Sequence, residues 1–135
     1  MIVGIDHVQL AMPAGGEDAA RRFYGRTLGL REVPKPPGLA ARGGLWFETY
    51  GTAIHLGLED GFRPAQKAHP ALLCEDLGAM TSALRDGGCD LSWDESVEGV
   101  RRLYTHDPFG NRIEIIADGD GFSQRSPIVR GDPTD

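Results

Sequence analysis

The sequence predicts an α+β fold: two tandem βαβββ modules whose curved mixed sheets enclose a metal or ligand cavity. Three observations predict it. The two halves of the chain repeat the same order of features, a helical stretch in each half stops at glycine, and a tight turn precedes the last strand of each half. At 135 residues the chain suits one domain. Its modules span about 1–60 and 66–118, and 119–135 reads as a flexible tail. With 19 glycines and 9 prolines, short elements and many turns are expected, which excludes long bundles and coiled coils.

The repeat is found by setting His7 against His69. Ile5-Asp6-His7-Val8-Gln9-Leu10 and Lys67-Ala68-His69-Pro70-Ala71-Leu72-Leu73 are both short strand-like runs with a histidine near the start. A helix is predicted over 16–28, with Ala20, Phe23, Tyr24 and Leu28 at helical spacing and Arg21, Arg22 and Arg26 left for solvent. Its counterpart is predicted over 77–86, with Leu77, Met80 and Leu84 on one side. Gly29 and Gly87-Gly88 end the two helices, because glycine takes the left-handed conformation of a C-terminal cap without penalty. Strands follow at 30–34, 43–49 and 52–58 in the first half, and at 89–94, 100–106 and 112–117 in the second. The last two of each half are joined by Tyr50-Gly51 and by Asp107-Pro108-Phe109-Gly110-Asn111, both of which carry turn chemistry. Residues 59–68 form a polar connection between the modules.

Alternation along the strands puts unlike side chains on the two faces. His7 and Gln9 share one face of the first strand. In the fourth, Ala53, His55 and Gly57 share a face, while Ile54, Leu56 and Leu58 take the helix-packed side. Glu114 points away from Ile113 and Ile115, and a carboxylate inside Arg-Ile-Glu-Ile-Ile-Ala is the sharpest oddity in the chain. Three of the four histidines and this glutamate fall on the first and last strands of the two repeats. Imidazole nitrogen and carboxylate oxygen suit a divalent cation, so His7, His55, His69 and Glu114 are the candidate metal ligands.

These residues resemble the vicinal-oxygen-chelate superfamily, which includes glyoxalase I, bleomycin-resistance proteins, fosfomycin-resistance enzymes, methylmalonyl-CoA epimerase and extradiol dioxygenases. The matching pieces are Ile5-Asp6-His7-Val8, Phe23-Tyr24 leading to Leu28-Gly29-Leu30, His69-Pro70-Ala71-Leu72, and Asp107 through Glu114. The resemblance implies metal ligands on the first, fourth, fifth and eighth strands, hence His7, His55, His69 and Glu114. It also implies a homodimer in which His7 and His55 of one chain meet His69 and Glu114 of the other. His55 stands where glyoxalase I and the epimerase usually carry Glu or Gln, which counts against true glyoxalase I activity. Tyr104, Asp107-Pro108, Gly110 and Glu114 fit the extradiol pattern, but the histidine expected before the tyrosine is missing from 94–97.

The expected cofactor is therefore a divalent ion (Zn, Ni, Co, Mn or Fe), and the expected substrate is a small molecule with two neighbouring oxygens. Isomerase or lyase chemistry is the leading reading, with His55 and Glu114 as catalytic residues and His55 either a ligand or a general base. The alternatives are an Fe(II) ring-cleaving dioxygenase and a non-catalytic drug-binding protein of the bleomycin-resistance type. Gln9, Trp46 and Tyr104 are candidate substrate contacts. Phe47 and Trp93 are further possible aromatic walls, although ordinary sheet core is the commoner role for such residues. His106 reads as a turn or cavity-rim residue rather than a catalytic acid-base, and Arg63, Lys67, Arg101 and Arg102 as solvated surface by default, the alternative being positive charge for an anionic substrate. With 14 Lys+Arg against 20 Asp+Glu, the net charge of −6 argues against nucleic acid as a partner. No apolar run approaches a membrane span, and Met1-Ile2-Val3-Gly4 runs straight into a strand-like segment, so neither a signal peptide nor an anchor is expected. Cys74 and Cys89 lack a CxxC spacing and are expected as buried thiols in a reducing cytoplasm. Asp118-Gly119-Asp120-Gly121 resembles the start of a calcium loop, but Val129 occupies the position where its glutamate would be required.

Overall fold

The two halves fold into separate four-stranded sheets, seen in a computed structural model that describes residues 1–119. The expected tail, apart from Gly119, lies outside the described residues. In the first half, β1 (Val8–Met12) lies at one edge, parallel to β4 (Thr52–Leu58). Beyond β4 come β3 (Leu45–Thr49) and the two-residue β2 (Glu32–Val33). The second half repeats this order: β5 (Ala71–Cys74) is parallel to β8 (Arg112–Ala117), followed by β7 (Arg102–His106) and β6 (Ser92–Asp94). Tyr50 and Gly51 carry φ values of 47° and 79°, the paired positive φ of a tight hairpin turn whose twist matches that of the strands.

A helix crosses from the first strand to the second in each half. The first begins as α1 (Glu17–Ala20) and continues as a π-helical segment, Arg21–Thr27, closed by Leu28 N–H donating to the Phe23 carbonyl at 2.8 Å. The second is α3 (Leu77–Asp86), whose N-terminal amide at Ala79 donates to the Asp76 carboxylate at 2.9 Å. Gly29 and Gly88 take the positive φ expected beyond each helix. No helix among the described residues is long and apolar enough to cross a membrane.

One core joins the halves. Ala20, Phe23 and Tyr24 from the first helix meet Leu45, Phe47, Ile54 and Leu56 of the first sheet. Leu77 and Leu84 of α3, with Leu103, Ile113 and Ile115 of the second sheet, complete the same cluster. Phe47 is therefore core and lines no cavity: alternation in β3 turns Trp46 to the other face. The tie between the halves is also polar. The buried Tyr24 hydroxyl donates to Asp107 Oδ2 at 2.6 Å, and Asn111 Nδ2 donates both to that oxygen and to the Ala11 carbonyl, each at 2.8 Å. Burial and the Asp107 charge push the Tyr24 phenol far above its ordinary pKa, so it remains a donor.

Several expectations need correction. His7 lies just before β1, which starts at Val8, and the strands expected from 30, 89 and 100 begin two or three residues later. Pro34, Pro36 and Pro37 cut the second strand short, since proline supplies no ladder donor. Pro37 instead opens a short helix, α2 (Pro37–Ala40), that periodicity did not suggest. Leu58, at the end of β4, is 38% exposed. Cys74 and Cys89 are free but only half-buried, and burial raises the pKa of both.

Candidate functional site

The register of each sheet fixes the geometry of the candidate ligands. In the first, His55 stands between Gln9 on β1 and Trp46 on β3, and His7 precedes Gln9 by two residues. In the second, Glu114 stands between Ala71 on β5 and Tyr104 on β7, and His69 precedes Ala71 by two residues. Each module therefore holds a ligand-type residue on a central strand, an aromatic residue across from it, and a histidine at the same offset just before the parallel edge strand. Ile54, Leu56, Ile113 and Ile115 face the common core, so alternation turns both sets to the sheet faces directed away from it.

The first set is a stack. The His55 ring lies 4.0 Å from Trp46, with planes 4° apart, and 4.1 Å from His7, with planes 18° apart. His55 is 5% exposed and its Nε2 has no hydrogen-bond partner; Glu48 Oε1 lies 3.5 Å away, beyond good geometry. Burial lowers the pKa of His55 against the opposing pull of Glu48, so the imidazole is neutral at pH 7. Gln9 lies across Gly57, where a β-carbon would sit 2.7 Å from its amide nitrogen.

The second set is charged. Glu114 is 6% exposed, with His69 Nε2 at 3.3 Å and Arg102 Nη1 at 3.9 Å. The carboxylate also raises the pKa of Tyr104. His69 Nδ1 lies 2.7 Å from the Lys67 carbonyl, which can only accept, so that nitrogen carries the hydrogen. In the neutral ring, Nε2 then presents a lone pair to a carboxylate oxygen. An imidazole nitrogen and a carboxylate oxygen side by side are donors that suit a divalent ion. His7 is similar, its Nδ1 being 2.9 Å from Asp6 Oδ2. Such a donor set fits a divalent ion, but among the described residues no three His, Cys, Asp or Glu side chains of one chain come together to hold one. The structure brings together His7 with His55, and His69 with Glu114, as two separate pairs.

Arg102 is not a solvated surface residue. It is largely buried, its Nη2 donates to Asp94 Oδ2 at 2.9 Å and to Ser96 Oγ at 3.0 Å, and its Nε has no partner. His106 is exposed and bonded to Asp90, as a rim residue would be. Trp93 is 43% exposed at the β6 edge, where two hollows of about 470 and 290 Å³ lie. Neither hollow touches a ligand pair, although the smaller reaches Arg102. Glu48 and Arg112 were not singled out from the sequence, yet alternation places them on the ligand-bearing faces, next to Trp46 and Glu114.

A model of the Glyoxalase/Bleomycin resistance protein/Dioxygenase superfamily matches residues 4–115. The chain belongs to that superfamily. A glyoxalase family protein from Bacillus anthracis is 45% identical, with a TM-score of 0.83 over 87% of this chain and 96% of that one. A glyoxalase/dioxygenase from Nostoc punctiforme is 25% identical, with a TM-score of 0.69 over 85% of this chain and 90% of that one. The fosfomycin resistance protein FosX from Listeria monocytogenes shares the fold at 18% identity, with a TM-score of 0.70 over 87% and 94% of the two chains. A comparison with curated proteins finds no match. Superfamily membership agrees with the tandem modules and open sheets described above; members typically use divalent metals.

Proposed function

We propose that the chain acts as a homodimer in which His7 and His55 of one copy and His69 and Glu114 of the other hold a divalent ion. That centre would serve isomerase- or lyase-type chemistry on a small substrate with two adjacent oxygens. The observation that carries this reading is the pair of register-matched half-sets, each on a sheet face turned away from the core and each too small to hold a metal ion. The free sheet edges support it. β1 and β5 are edge strands; Met1, Ile2, Val3 and Ile5 before β1 and Leu73 on β5 are exposed apolar residues that a second copy would cover.

A bound divalent ion supplies a Lewis acid on which two neighbouring substrate oxygens replace water. Around it, Gln9 offers an amide to a substrate oxygen, while Trp46 and Tyr104 form walls opposite the ligands. His55, kept neutral by burial, serves either as a ligand or as the base that accepts a substrate proton at Nε2, with Glu48 positioned to stabilise the resulting imidazolium.

Subunit mixing tests the shared centre. His55→Ala and Glu114→Ala chains, each defective alone, are combined and their zinc content is measured. One intact centre per mixed dimer is expected, which after random reassortment of a 1:1 mixture is about a quarter of the wild-type zinc. No recovery in mixtures shown by sedimentation to be dimeric would refute the shared site.

A further inference from the structure

We infer that the substrate carries an oxyanion (carboxylate, phosphonate or phosphate) and that Arg112 receives it. The inference rests on the metal-centre reading above and adds the chemical class of the ligand. Arg112 lies two residues before Glu114 on β8 and is paired in register with His106, so it shares the Glu114 face. It is half-buried, and its guanidinium carbon sits 4.0 Å from the centre of the Tyr104 ring.

The charges on this face are unequal in a revealing way. Arg102 is neutralised by Asp94, and His106 is bonded to Asp90. Among the described residues no carboxylate pairs with Arg112. What sets Arg112 apart is its seat: half-buried, it rests on the Tyr104 ring on the same sheet face as the candidate ligand Glu114. The ring holds the guanidinium without consuming its N–H donors, and a planar fork of such donors matches a carboxylate or phosphonate. Arg102 differs in role: bound to Asp94 and Ser96, it faces Glu114 as a positioning residue. Arg112 adds a positive charge on the Glu114 face beside the proposed centre, which favours an anionic ligand over a neutral one.

The test uses two chelating probes on zinc-loaded protein: phosphonoformate, which carries an additional anionic charge, and acetohydroxamate, which does not. Arg112→Met is expected to weaken phosphonoformate binding at least tenfold by calorimetry and to change acetohydroxamate binding less than twofold, with Arg112→Lys recovering part of the loss. Equal losses for both probes, or no loss for either, would overturn the inference. Zinc content is read separately in each variant. Failure of the wild type to hold zinc would sink the metal-centre reading, whereas normal zinc content with an unchanged phosphonoformate affinity in Arg112→Met would sink only the role of Arg112. Should Arg112→Met fail to fold, Arg112→Gln keeps the same pair of outcomes.

Discussion

The first module presents its ligand-type residues as a stack of three rings, Trp46, His55 and His7, with Glu48 at the side. The second presents Glu114 among His69, Arg102 and Tyr104, with Arg112 on the ring of Tyr104. The strand order and register offsets are the same in both, so the backbone has kept its design while the chemistry has diverged. One half-set carries imidazole nitrogens beside an indole; the other carries a carboxylate with two arginines beside it. Neither duplicates the other, and the proposed centre would draw on both.

The largest expected effect breaks the comparison at its charged end. Glu114→Gln should reduce divalent metal affinity by at least about 100-fold, since it removes the only anionic ligand, while His55→Gln should cost less. Equilibrium dialysis against zinc decides this, and an equal loss in both variants would show that charge does not separate the half-sets. Next comes the tie between the modules. Tyr24→Phe removes the donor to the buried Asp107 carboxylate and should lower unfolding stability by about 2 kcal/mol in urea. Hydrogen exchange should then show weaker protection in both sheets rather than in one. Trp46→Ala strips one face of the His55 stack and should cost about 1 kcal/mol, while moving the His55 pKa back toward its ordinary value as water gains access.

The smallest effect concerns pH. Burial lowers the pKa of His55, so between its folded value and the ordinary value of 6.5 the folded protein binds fewer protons than the unfolded chain. The contribution of this group to stability is complete above that window and is lost as pH falls through it. Thermal melts of metal-free protein from pH 7.5 to 5 should show a decline that His55→Leu flattens. A decline of the same size in His55→Leu would assign the effect to other groups.

Much of this was legible in the sequence because alternation and turn chemistry are local. The β4 strand over 52–58, α3 over 77–86 and β8 over 112–117 fall at the boundaries their patterns predict, and the same alternation aligns Glu114 with His55. β2 is shorter than the strand expected over 30–34, and α2 was missed, because three prolines near residue 35 override the apolar pattern. That the two half-sets stay apart within one chain is a tertiary matter, set by how the modules pack on their common core, and no spacing in the chain records it. The burial of Arg102 was hidden for the same reason, because its partner Asp94 lies on a neighbouring strand rather than nearby on its own.

The contact of Asn111 with the Ala11 carbonyl places a rigid brace between the strand leaving His7 and the turn feeding Glu114. In a dimer built as proposed, these two belong to different centres. A displacement at one proposed centre would then reach the other through the body of a single subunit, without any contact across the interface.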